Sequence, residues 1–96
     1  MLDLKEEFSR HGEKYLKFEE IQNPEHSRPD VCAFIILDRL IPGPGTDMVS
    51  CAEHDEIYLS VNTEILARAA TSEDIARLVA CGVRYSSEYE SLCMFV

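Results

Sequence analysis

Glu53, His54, Asp55 and Glu56 are the densest run of side chains able to do chemistry in this chain. Carboxylates beside an imidazole can hold a divalent cation or seat a general base. Cys51-Ala52-Glu53-His54 also has the spacing of half a zinc site, with thiolate and imidazole three residues apart. A complete structural site needs a second tight pair, and none follows: His26 and Cys32, and Cys81 and Cys93, are spread too widely. A hydrolase centred on the turn would need a group brought in by the fold, such as Asp38 or His26. No catalytic residue is assigned and no cofactor is expected; Cys51, His54 and Asp55 stand as the metal-site alternative, against a plain solvated turn.

The second set is aromatic and acidic. Tyr58, Tyr85 and Tyr89 lie among Glu53, Asp55, Glu56, Glu88 and Glu90. Tyrosines flanked by carboxylates engage Lys and Arg through hydrogen bonds, cation–π contact and charge steering. The charge pattern agrees: 18 carboxylates face 9 Lys and Arg, a net charge of −9, and no Lys or Arg occurs between Arg39 and Arg68. Such a field repels phosphate and attracts cations. Direct nucleic-acid binding is therefore excluded as an expectation. Residues 71–92 make a poor helix-turn-helix, whose reading segment would present Glu88 and Glu90 against Arg84. Pro42-Gly43-Pro44-Gly45 is too rigid and too poor in backbone donors to cradle a phosphate.

The expected partner is a protein with a basic surface, bound by a small interaction module through Glu53, Asp55, Glu56, Tyr58, Tyr85, Glu88, Tyr89 and Glu90. In size and charge alone the chain resembles the acidic inhibitors that bacteriophages encode against nucleic-acid-binding proteins of the host. That likeness implies an inhibitor or adaptor and carries no residue over. A small metal-assisted hydrolase on the 53–56 turn and a homo-oligomeric structural protein, with homodimerisation, are the alternatives.

These residues must be positioned by a small set of elements. Leu4, Phe8, His11, Tyr15 and Phe18 recur at steps of four and three, which predicts an amphipathic helix over residues 3–22. Gly12 offers a break after His11, with residues 13–21 as a second segment. His11, on the apolar stripe, reads as a core-edge histidine with a backbone partner. Asn23-Pro24-Glu25-His26 is a turn. Residues 28–41 fit helix better than strand by length, with Ser27 and Asp30 as a capping box, Pro29 in the first turn, and Asp38 and Arg39 at the solvent boundary. Alternation over residues 47–61 predicts two strands joined at the 53–56 turn. Asn62 or Thr63 starts a short helix, Thr71 to Asp74 starts another, and Gly82 ends it. Residues 83–85 and 92–96 then close a hairpin, whose last strand is apolar on both faces and so must lie inside the sheet or at a dimer seam.

The predicted fold is α+β: a small, mainly antiparallel sheet of two hairpins with helices packed on one face, in one domain over residues 1–96. The 46% apolar content suffices for a core without staples. Cys32, Cys51, Cys81 and Cys93, among apolar neighbours, are expected as reduced, buried thiols. No run reaches a membrane span and residues 1–7 are too acidic for a signal peptide, so a soluble, cytoplasmic protein is expected, with no membrane partner.

Overall fold

Asp3 opens the fold: its carboxylate accepts from the Glu6 amide at 3.2 Å and caps α1 (Leu4–Arg10), which buries Leu4, Glu7 and Phe8. The computed structural model describes residues 1–43 and 47–95; part of the predicted 42–45 turn and Val96 lie outside the described residues. The helix predicted over 3–22 does not continue past His11. Beyond it run two 3-10 turns, Gly12–Lys14 and Phe18–Glu20, separated by Leu16 at φ 62°. The break is at the glycine, but the second segment is not an α-helix. Its apolar stripe is still used, because Tyr15, Phe18 and Ile21 pack against the core from these turns.

The 28–41 segment is helical. In α2 (Pro29–Leu40) Pro29 takes the first turn, where no amide is missed, and Cys32, Ala33, Ile36 and Leu37 are buried on one side. The capping box expected from Ser27 and Asp30 is absent: Arg28 is the cap residue without a side-chain bond, and Asp30 accepts from the Val31 amide instead. Asp38 and Arg39 are exposed, and Arg39 reaches Asp74 at 3.2 Å.

Two further helices follow the first hairpin. Asn62 accepts from Ile65 N at 3.1 Å to cap α3 (Thr63–Ala69). Thr71 and Asp74 form a reciprocal capping box on α4 (Ser72–Ala80), at 3.1 and 2.9 Å. Gly82, at φ 100°, stops α4, while Gly82 N and Val83 N close onto the Val79 and Leu78 carbonyls at 2.9 and 3.0 Å.

The sheet is antiparallel throughout. Its strands are β1 (Val49–Glu53), β2 (Glu56–Leu59), β3 (Arg84–Ser86) and β4 (Ser91–Phe95), in the order β1-β2-β4-β3. β4 is therefore central, as its two-sided apolar pattern requires; Leu92, Cys93 and Met94 are all buried. Cross-strand partners share a face. The inner face carries Leu59, Leu92 and Met94, which join Ile36, Leu37, Leu66, Ile75, Leu78 and Val79 from the helices in one core cluster. Each such fully buried side chain contributes about 1.5–3 kcal/mol relative to exposure.

β1 departs from simple alternation. A register shift places Val49 opposite Leu59 but Cys51 opposite Tyr58, so the two residues do not share a face. Every residue of β1 is exposed. This corrects the expectation of four buried thiols: Cys32, Cys81 and Cys93 are buried, whereas Cys51 lies open on the edge strand, and all four are free. Among the described residues no helix is long and apolar enough to cross a membrane.

Candidate functional site

The outer face of the sheet, turned away from the helices, gathers most of the residues singled out in the sequence. Register fixes its rows. Cys51, Tyr58, Cys93 and Arg84 stand in line across the four strands, and Glu53, Glu56 and Phe95 form the next row toward the first hairpin turn. That turn is tighter than expected: the strands run to Glu53 and from Glu56, leaving only His54 and Asp55 between, with His54 at φ 57°.

A chain of contacts holds the centre of this face. Arg84 Nη2 donates to Glu56 Oε1 in an ion pair, and its guanidinium lies over the Phe95 ring, 4.0 Å from the centroid. The other Glu56 oxygen accepts from the Tyr58 hydroxyl at 3.2 Å. Tyr58 in turn meets Tyr89 edge to face, with centroids 5.3 Å apart and planes at 79°. Tyr89 reaches it from the 87–90 turn, which is fastened by the Tyr89 amide donating to Ser86 Oγ at 3.3 Å. Burial pushes the Tyr58 phenol above its ordinary value, and the neighbouring Tyr89, Cys93, Glu53 and Glu88 add to the rise. Cys93 is also raised by burial, with Arg84 opposing.

Ser50, Cys51, Glu53, Tyr58, Tyr89 and Ser91 line a shallow recess of about 230 Å³ on this face. The two acidic turns lie at opposite ends of the sheet, Glu53 and Asp55 at one, Glu88 and Glu90 at the other, with the tyrosine pair between. Among the described residues no Lys or Arg pairs with any of these four carboxylates; Glu53 has only His54, at 3.9 Å.

Three of the residues proposed from sequence are placed differently from the rest. Tyr85 opposes Leu92 on the inner face and packs on Phe8, ring centroids 6.3 Å apart, so it belongs to the core margin. Glu56 is committed to Arg84 and Tyr58. Asp55 sits exposed at the tip of the hairpin. Arg84 and Phe95 were not singled out from the sequence. Their place on this face depends on which strands pair and in what register, which local alternation does not report.

The metal alternative finds no built site. Among the described residues no three His, Cys, Asp or Glu side chains converge to hold an ion, Cys51, His54 and Asp55 included. His11 has a side-chain partner rather than the backbone one expected: its Nε2 and Ser72 Oγ share a hydrogen bond at 3.0 Å, with Glu7 Oε1 3.7 Å away. Glu7, on the polar side of the predicted helix, is 5% exposed; one oxygen takes Arg10 at 2.9 Å and the other has no hydrogen-bond partner. No protein-family model, curated protein or solved structure matches this chain.

Proposed function

We propose that the protein is a small binding module, an adaptor or an inhibitor, whose outer sheet face docks on a basic surface of another protein. The observation that carries this reading is the Tyr58–Tyr89 pair, flanked by Glu53 and Glu88, against which no Lys or Arg pairs among the described residues. A Lys or Arg laid on such a pair gains cation–π attraction of about 0.5–2 kcal/mol, the upper part only where water is excluded. The uncompensated carboxylates steer the encounter over about 8 Å at physiological salt. Arg84 does not cancel the field, because its charge is spent on Glu56.

The test uses an oligo-lysine peptide as probe. Glu53→Lys with Glu88→Lys should slow association at least several-fold, and added salt should reproduce the loss. Glu19→Lys with Glu20→Lys, the same charge change on the exposed N-terminal 3-10 turn, should have a smaller effect. Equal losses from the two pairs would reduce the binding to net charge and remove the outer face from the argument. Glu56→Lys is a poor probe, since it breaks the Arg84 pair as well.

A further inference from the structure

We infer that the free edge of β1 accepts a short, extended, basic segment of the partner as a fifth strand, a reading that rests on the outer face being the docking surface. β1 pairs with β2 on one side only; among the described residues no strand lies along its other side. In a two-residue hairpin the pair flanking the turn, here Glu53 and Glu56, exchanges hydrogen bonds, and the next pair, Ala52 and Ile57, does not. The Ala52 amide and carbonyl therefore point away from β2 to the open edge, where an added strand would take both.

The side chains of β1 select what is added. Cys51 and Glu53 face outward beside the recess, and β1, β2 and their flanks from residue 40 to 67 contain no Lys or Arg. A strand laid against β1 would run about 4.8 Å from it, so a Lys or Arg opposite Cys51 or Glu53 would reach Glu53 and the Tyr58–Tyr89 edge with its flexible stem. Main-chain bonds supply affinity and alternate side chains supply specificity, as in strand addition generally. The register shift at Ser50, whose hydroxyl donates to the Tyr58 carbonyl at 3.1 Å, bends the strand, and the turn begins at His54, so straight pairing is confined to residues 51–53. A long apolar strand is thereby excluded.

A second copy of the chain is disfavoured as the occupant on charge: pairing β1 with itself would bring together two hairpins, each bearing Glu53, Asp55 and Glu56 without a Lys or Arg, on bodies of net charge −9.

Two peptides of the sequence Lys-Val-Lys-Val-Lys test the inference, one unmodified and one N-methylated at every amide, so that charge is kept and donors are lost. The unmodified peptide should bind roughly tenfold more tightly, because the N-methyl groups remove the donor to the Ala52 carbonyl and by their bulk hold the strand off the Ala52 amide, and it should slow exchange of that amide. Ala52→Pro, which removes an outward-pointing amide and sets a ring where the added strand would lie, should keep the fold and abolish that difference. Equal binding of the two peptides, still weakened by Glu53→Lys with Glu88→Lys, would overturn strand addition and leave the acidic face standing. Binding of neither, or binding indifferent to the charge variants, would overturn both. Should Ala52→Pro fail to fold, the ladder assignment that aims Ala52 outward is wrong and the inference falls with it. Dimerisation of the chain that Ala52→Pro prevents would give the edge to a second copy and overturn the basic occupant.

Discussion

Leu92 and Phe95 lie three residues apart on the same central strand and face opposite ways, so truncating each to Ala measures the register of the whole sheet. Leu92 is fully buried on the inner face, opposite Tyr85 and within the main core cluster, whereas Phe95 is 58% exposed on the outer face under Arg84. Leu92→Ala removes buried methyl groups and leaves a cavity, at a cost of about 2–5 kcal/mol. Phe95→Ala loses a partly covered ring and one exposed cation–π contact, together about 1–1.5 kcal/mol. A chain of this size has about 5–14 kcal/mol in total. With a urea dependence of about 1–1.5 kcal/mol per molar, Leu92→Ala should lower the midpoint by about 1.3–5 M and Phe95→Ala by about 0.7–1.5 M, the smaller shift at the same slope.

Far-ultraviolet dichroism is the suitable probe, since the chain has no Trp. A slip of one residue would exchange the roles, putting Phe95 inside with Cys93 and turning Leu92 and Met94 to solvent. Equal costs, or a larger cost at Phe95, would therefore refute the register on which the outer face is built. Deleting residues 92–95 should yield an unfolded or aggregated product, because β4 is the strand that joins β2 to β3.

His54→Gly should raise stability by about 0.5–1 kcal/mol, since His54 holds φ 57° in a two-residue turn that glycine occupies without strain; unchanged thermal melting would count against that turn geometry. Gly82→Ala should cost about 1–3 kcal/mol, mainly from its φ of 100° rather than from the new Cβ, which would meet the flexible Leu16 Cδ2 at 3.0 Å and Met94 Cε at 4.0 Å; no fall in melting temperature would contradict the stop assigned to α4. One thiol per folded chain, Cys51, should react with a maleimide at neutral pH, and four after denaturation. Burial pushes Cys81 up to about 12 from an ordinary 9.0, so the folded state keeps a proton that the unfolded chain gives up; as pH rises between those limits this group should lower stability by about 1.4 kcal/mol per pH unit, and Cys81→Ala should remove that share of the slope and leave what the raised Cys93 and Tyr58 add.

The order of elements is legible in the sequence wherever a local signal has a local cause. Thr71 with Asp74 and Gly82 bracket α4 because a cap and a stop act on the residues beside them, and the alternation of residues 47–61 yields a hairpin for the same reason. The N-terminal stripe misleads because burial and helix are different facts. Tyr15 and Phe18 do reach the core, but from 3-10 turns after Gly12, where a left-handed Leu16 lets the chain turn back with its amide on the Val79 carbonyl at 3.3 Å. Ser27 and Asp30 have the letters of a capping box, yet Asp30 bonds to its own neighbour's amide, a competing local bond that a pattern does not exclude. The site was half legible. Tyr58, Tyr89 and Glu53 come together as composition suggested, while Tyr85 turns inward because it opposes Leu92, a long-range pairing that no window around Tyr85 contains.

The two edges of the sheet are guarded in different ways. β3, at one edge, is three residues long and lies against α1, where Tyr85 meets Phe8. β1, at the other, has every residue exposed and is followed only by its own tight turn. Exposed edges are usually blunted by lysine, proline or a bulge. β1 has the bulge but neither of the others, and Glu53 takes the place a protective lysine would occupy. An acidic edge still repels other copies of an acidic chain, so it guards against self-association as well as lysine would. It differs from lysine in the strands it leaves able to approach: those carrying positive charge. The segment without Lys or Arg in the sequence contains the exposed edge strand β1 of the fold, and the tyrosine pair stands beside it.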